Sequence, residues 1–222
     1  MKKVITVIFI CGLANFAFSQ NFGIGVSSPT EKLDVAGNIK ASGLAGTGTR
    51  PVYVTSNGTL TSAPSGSVVQ MKYVQTRTQA NYLAPTSGNG TKISPLDIVV
   101  TPRKAGNAMV LEWYVHGEVS WNTVFIVTRN GSRLANTTNG SNNRWAGITA
   151  PDYDNNIAST PSTYVIRIID ENTLSSSTTY SLHIRSSNTA APTLRLNRAF
   201  NSTGQDSYEA GLSSGTATEI QQ

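Results

Sequence analysis

Thr123-Val124-Phe125-Ile126-Val127-Thr128-Arg129-Asn130-Gly131-Ser132-Arg133-Leu134-Ala135 decides the fold class. Val124 to Val127 form a nearly continuous apolar run of β-branched and aromatic residues, which reads as a strand. Asn130-Gly131 supplies a pair that tolerates positive φ, so the chain turns tightly into Arg133-Leu134-Ala135 as a hairpin. The same period of two runs outward in both directions. Upstream, Met109, Leu111, Trp113 and Val115 share one face, with Glu112 and His116 on the other. Ser67 to Thr76 alternates, with Val69, Met71 and Tyr73 in one phase. Ile93 and Leu96 to Thr101 follow the loop Ser87-Gly88-Asn89-Gly90. Downstream, Tyr164, Ile166 and Ile168 alternate with Val165, Arg167 and Ile169, and Tyr180, Leu182 and Ile184 alternate with Ser181, His183 and Arg185. Leu194 and Leu196 flank Arg195, and a last strand is expected over about Thr216 to Gln221. No segment carries a convincing helical period. About eight or nine short strands at this spacing predict an all-β fold, an antiparallel β-sandwich of jelly-roll type. One apolar and one polar face per strand suits two packed sheets.

The N-terminal part has a different texture. Residues 21 to 43 read Asn-Phe-Gly-Ile-Gly-Val-Ser-Ser-Pro-Thr-Glu-Lys-Leu-Asp-Val-Ala-Gly-Asn-Ile-Lys-Ala-Ser-Gly. Two short strands flank a polar turn at Ser27 to Thr30, and Gly37-Asn38 makes a second turn. Such a segment buries too little apolar surface to hold itself folded. Copies of itself beside it would supply the missing core, so Phe22, Ile24, Leu33, Val35 and Ile39 are the expected oligomerisation residues. From Gly43 to Gly66 the chain is rich in Gly, Ser, Thr and Pro. Within it, Pro51 to Thr55 and Thr59 to Thr61 read as a tight hairpin around Asn57-Gly58. Ala63-Pro64-Ser65-Gly66 then marks a boundary. The expected organisation is an export signal over 1–19, a short N-terminal β-stalk over 20–65 and a β-sandwich head over 66–222.

The signal reading rests on Lys2 and Lys3, the apolar run Val4 to Ile10, and small residues at Ala17 and Ser19. That run is shorter than the roughly 20 apolar residues that span a bilayer. Cleavage after Ser19 would expose Gln20 and remove Cys11, the one cysteine of the chain. No integral membrane segment is then expected, nor any disulfide or cysteine metal site. The chain has 17 basic and 12 acidic residues, a formal net charge of +5, of which Lys2 and Lys3 leave with the signal. Arg residues are scattered singly along strands rather than clustered. This is no nucleic-acid footprint and suggests a solvated, mildly basic surface.

The stretch Gly23-Ile24-Gly25, Ser28-Pro29-Thr30-Glu31-Lys32-Leu33-Asp34-Val35, Gly37-Asn38-Ile39 resembles the stalk motif of phage tail-fibre-like proteins and of exported surface proteins of Bacteroidetes. That resemblance implies a trimeric stalk ahead of a β-rich head. The head has its own likeness, carried by the order of Gly66-Ser67-Val68-Val69-Gln70, Pro95 to Pro102, Val127 to Gly131, Ser177 to Leu182 and Ala217 to Ile220. It resembles C-terminal tail-fibre heads with a jelly roll of the complement and tumour-necrosis-factor type, over most of residues 66 to 222.

Candidate sites are few. His116 and His183 lie on polar strand faces without clustered partners, as surface or subunit-contact residues do. No Gly-x-Ser-x-Gly elbow and no His-Glu-x-x-His occurs. Asp152, Asp154 and Asn156 have calcium-like spacing, but Ile157 takes the glycine position and Thr163 the place of the bidentate Glu, so an Asx-rich turn is expected. The long polar break from Asn136 to Ser162 holds Asn142, Arg144, Trp145 and Tyr153. Aromatic rings beside amides and a guanidinium could stack on and hydrogen-bond a sugar, and these four are the candidate ligand-binding residues. Trp113 and Trp121 are expected in the core or at a subunit interface. No catalytic residue, metal or cofactor is predicted, and the chain is not expected to be an enzyme. The expected function is that of an exported, extracellular or cell-surface protein, with the periplasm as a further location. It would be a homotrimer whose head serves assembly or adhesion to a surface glycan or another surface or fibre protein. The alternatives are a monomeric secreted carbohydrate-binding module or a virion tail-fibre component.

Overall fold

The computed structural model describes residues 21–45, 51–119, 123–134, 161–186, 190–200 and 210–222. The chain divides into two compact units, Met1–Gly46 and Thr47–Gln222. The export segment, Cys11 and Trp121 lie outside the described residues.

In the first unit, β1 (Phe22–Ile24) and β2 (Leu33–Val35) pair in parallel, with Phe22 opposite Leu33 and Ile24 opposite Val35. Parallel neighbours ordinarily need a connection of about a dozen residues or more. Here the chain doubles back sooner, through Gly25 at φ 73° and the bend before Pro29. Asp34 holds that bend by accepting from the Thr30 amide at 3.1 Å and its hydroxyl at 3.3 Å. Gly23 is required by contact, since a Cβ there would stand 2.4 Å from the Val26 carbonyl oxygen. Phe22, Ile24, Leu33 and Ile39 remain exposed and Val35 is half-buried. A short 3-10 turn covers Ser42–Leu44.

The second unit opens with a hairpin of β3 (Val52–Val54) and β4 (Leu60–Ser62). Its loop is wider than the expected Asn-Gly turn. Thr55 donates its amide to the Thr59 carbonyl at 2.9 Å, leaving Ser56, Asn57 and Gly58 between them, and Gly58 has a φ of 82°. The Thr55 hydroxyl also accepts from the Thr59 amide at 3.0 Å, which fixes the wider closure.

The strands that follow are β5 (Val68–Thr76), β6 (Ala80–Leu83), β7 (Thr91–Lys92), β8 (Ile98–Val100), β9 (Ala108–Val119), β10 (Thr123–Arg129), β11 (Ser132–Arg133), β12 (Ser162–Asp170), β13 (Thr178–Ser186), β14 (Thr193–Leu196) and β15 (Ser213–Ile220). They form an all-β sandwich of a six-stranded and a five-stranded sheet. In the larger sheet β5 pairs with β15, β15 with β9 and β9 with β12, while β14 pairs with the end of β9 and with β6. In the smaller sheet β7 and β8 pair with β13, β13 with β10 and β10 with β11. The first long strand lies beside the last, and the middle strands interleave between the sheets. This order is a jelly-roll wrap. The small strands β6 and β7 raise the number above the eight or nine expected.

The core fills from the alternating faces. Met109, Leu111, Trp113 and Val115 of β9 meet Phe125, Val127, Leu182 and Ile184 from the facing sheet. Trp113 is wholly buried, and its indole N–H donates to the Leu96 carbonyl at 3.0 Å, so its one polar atom is satisfied. Gly215 opposite it makes room: a Cβ there would approach Trp113 Cδ1 to 2.5 Å. Asn130 (φ 49°) and Gly131 (φ 83°) form the two-residue hairpin turn expected between β10 and β11.

Three expectations fail in instructive places. Met71 and Tyr73 of β5 point outward, and Val74 packs on the core instead. His183 is buried rather than on the surface. Arg185, read as part of a solvated surface, is 1 % exposed. It donates from Nη1 to the Gly88 carbonyl at 2.9 Å and from Nη2 to the Thr86 carbonyl at 2.6 Å, tying down the loop before β7.

Candidate functional site

The ligand-binding residues expected from sequence, Asn142, Arg144, Trp145 and Tyr153, lie outside the described residues, as does the Asp152 to Asn156 cluster. The described residues offer a different candidate, the outer face of β5, β15, β9 and β12. Strand register builds it in rows. Met71, Thr218, Val110 and Ile169 stand side by side; Tyr73, Thr216, Glu112 and Arg167 form the next row; Gln75, Ser214, Tyr114 and Val165 the third. Alternation puts all of these on one face because residues directly opposite in a sheet share a face.

Six of these twelve residues are apolar or aromatic; Val110 is half-buried, and the other five range from 42 % exposed for Tyr114 to 63 % for Met71. At about 4.8 Å between strands and roughly 7 Å between rows, the face covers on the order of 400 Å². Only part of that area is apolar, and exposed apolar surface of this kind on a single chain is a candidate contact. Threonines of β15 run down its middle, and one charged pair crosses its centre. Arg167 Nε approaches Glu112 Oε2 to 3.8 Å. The Tyr114 hydroxyl donates to Glu112 Oε1 at 2.7 Å, and this bond together with the carboxylate charge holds the Tyr114 phenol above its usual pKa. The Tyr73 hydroxyl donates to Gln75 Oε1 at 2.9 Å.

Other polar groups of the head serve structure. Asp170, at the end of β12, receives Arg129 Nη1 at 3.0 and 2.9 Å on its two oxygens and the Tyr180 hydroxyl at 2.8 Å. This joins the two sheets, since Arg129 and Tyr180 belong to β10 and β13. Burial first, and the hydrogen bond to Asp170 second, push the Tyr180 phenol far above its usual pKa, so it stays a donor. The buried Glu219 carboxylate accepts from Asn107 Nδ2 at 2.6 Å, Gln70 Nε2 at 2.6 Å and the Arg103 amide at 2.8 Å, which pins the turn between β8 and β9. Burial holds the His183 imidazole below its usual pKa, with Nε2 3.1 Å from the Thr128 hydroxyl.

The two histidines stand on different sheets, His116 on β9 and His183 on β13. Ser213 meets His116 through the backbone, its hydroxyl accepting from the His116 amide at 2.9 Å. That bond does not activate a nucleophile, which needs the imidazole ring itself as base. Among the described residues no three His, Cys, Asp or Glu side chains cluster to hold a metal, and no helix is long and apolar enough to cross a membrane. The outward Met71 and Tyr73 carried a sequence signal, an apolar phase of β5, but alternation assigned that phase to the core. No protein-family model matches this chain, and no curated protein matches it.

Proposed function

We propose that this chain is an exported, non-enzymatic surface or fibre protein that works as a homotrimer, with a short β-stalk and a jelly-roll head for adhesion. The observation that carries the reading is the group of exposed apolar side chains on the outer face of β5, β9 and β12, which complete their hydrophobic burial only when another surface covers them. The exposed Phe22, Ile24, Leu33 and Ile39 of the parallel β1–β2 pair support it independently, because that pair has no core of its own. Closed cyclic assembly covers both sets without leaving an open end. Recognition is assigned to the loop from Asn136 to Ser162, with Asn142, Arg144, Trp145 and Tyr153 as contact residues, since loops are free of packing duties. Three copies would raise avidity for a surface glycan without any new contact.

Light scattering of the full chain purified from its host's exterior tests the reading. The expected mass is that of three chains. Met71→Glu or Leu33→Asp should lower it, because each puts a charge into a shared apolar contact. Trp145→Ala should abolish glycan-surface binding and leave the mass unchanged. A wild-type mass of one chain at micromolar concentration would refute the assembly.

A further inference from the structure

Glu112 and Arg167 are the only opposed charges in the rows of the outer face, and they are poorly used within one chain. They sit directly opposite across β9 and β12. Their closest approach is 3.8 Å, through Nε rather than the guanidinium fork. A charge-assisted bond is about 2.7–2.9 Å, and Arg prefers two parallel bonds to a carboxylate. The Arg167 side chain is 65 % exposed, and it has no hydrogen bond among the described residues. Its flanking neighbours on the same strand face are Val165 and Ile169, both exposed. Glu112 is flanked by Val110 and Tyr114, and the tyrosine already occupies Oε1.

The face itself is thin. Its area of roughly 400 Å² is about half of the roughly 800 Å² per partner that a standard specific interface buries. Apolar cover alone would let copies slide, and polar groups within an apolar contact are the usual means of fixing register. The surface is also self-complementary in charge. Each copy presents one acid and one base side by side, so copies arranged in a ring can each give a base to the next and receive one from the last, with no charge left over.

We propose that Glu112 and Arg167 register the assembly: Arg167 of each copy leaves its loose contact and engages Glu112 of the neighbouring copy, closing a ring of three inter-chain ion pairs. The inference rests on the trimer proposed above and names the polar contact within it. Covering the face removes the water that now solvates Arg167, so an unmatched charge there becomes costly and a shifted register is rejected.

Two experiments on the full chain decide it. In a Cys11→Ser background, a chain carrying Glu112→Cys is mixed with one carrying Arg167→Cys, refolded together and oxidised. The expected result is a disulfide between the two different chains on a non-reducing gel. Separately, Glu112→Arg and Arg167→Glu should each lower the association constant by roughly 100-fold or more, as like charges face each other across the contact. The combined Glu112→Arg/Arg167→Glu chain should return to within about tenfold of wild type. Circular dichroism of each variant establishes that the sandwich is folded. A trimeric wild type without the inter-chain disulfide, or with single reversals that associate normally, overturns the ion-pair ring and leaves the trimer standing. A monomeric wild type overturns both.

Discussion

Asp170→Ala should be among the most damaging single changes in the head. The carboxylate is 5 % exposed and serves partners from three directions. Both its oxygens bind Arg129, Oδ2 accepts the Tyr180 hydroxyl, and Oδ1 accepts the Asn172 amide at 3.1 Å. Removing one partner of a buried ion pair costs about 3–5 kcal/mol, mostly through the charge left behind. Arg129 is 27 % exposed on its side chain and keeps a bond to the Asn172 carbonyl, so its share falls at the low end. The Tyr180 hydroxyl is fully buried, and an orphaned hydroxyl adds about 1–3 kcal/mol. The sum is about 4–6 kcal/mol. With a urea slope near 2 kcal/mol/M for a domain of this size, the unfolding midpoint should fall by about 2–3 M. Urea titrations followed by tryptophan fluorescence, at one fixed protein concentration, measure it. The companion test removes the whole polar group. Arg129→Met/Asp170→Leu/Tyr180→Phe should recover more than half of the loss, because no buried polar atom of the three is left unpaired. A midpoint shift below about 0.5 M for Asp170→Ala, or a triple variant worse than the single one, would refute this account of the network.

Two further outcomes follow from the packing. Gly215→Ala should cost about 1–3 kcal/mol by overpacking, since the new Cβ would meet Trp113 Cδ1 at 2.5 Å and Ile98 Cδ1 at 3.3 Å. Trp113→Leu in the same chain should relieve part of that cost in thermal melts, which a backbone effect would not allow. His183 has a folded-state pKa below its unfolded value, with burial the largest cause. Its contribution is therefore present above about pH 6.5 and lost as pH falls through that value towards the folded pKa. Urea midpoints between pH 8 and pH 5 should show this loss, and His183→Gln should flatten it; an unchanged slope in the variant counts against the assignment.

Period-2 alternation was enough to find the long strands, and Asn130-Gly131 was enough to find the turn of β10 into β11, because both signals are local. The direction of β1 against β2 was hidden, since alternation identifies a strand but not its sense, and the return depends on Gly23, Gly25 and the Asp34 contacts. Asn57-Gly58 misled for a related reason: Thr55 and Thr59 close the loop one residue wider than the dipeptide suggests. His183 and Arg185 were placed correctly on the polar face of β13, but burial of that face is a tertiary fact with no local sign. The short strand β7 is two residues long, too brief to show any period.

The phase of β5 was misread for a reason that bears on assembly. Val69, Met71 and Tyr73 outnumber the apolar residues of the other phase around Val74, so counting assigns them to the core. Pairing with β15 decides otherwise. Glu219, Ala217 and Gly215 of β15 are buried, and register with them turns Gln70 and Val74 of β5 inward, while Lys72 between them stays exposed. Gln70 takes an inner position because the buried Glu219 needs a donor, which it supplies at 2.6 Å. Met71 and Tyr73 are then turned out beside Val110 and Ile169. Burial is worth about 25 cal/mol per Å² of apolar surface, and Met71, 63 % exposed, collects only the smaller part of it in a single chain. A sequence whose local signal says core, at positions the chain itself leaves uncovered, fits a surface that completes its burial against another copy. The misread phase and the proposed assembly face are the same residues, so Met71→Glu tests both: it should leave the sandwich folded and separate the copies.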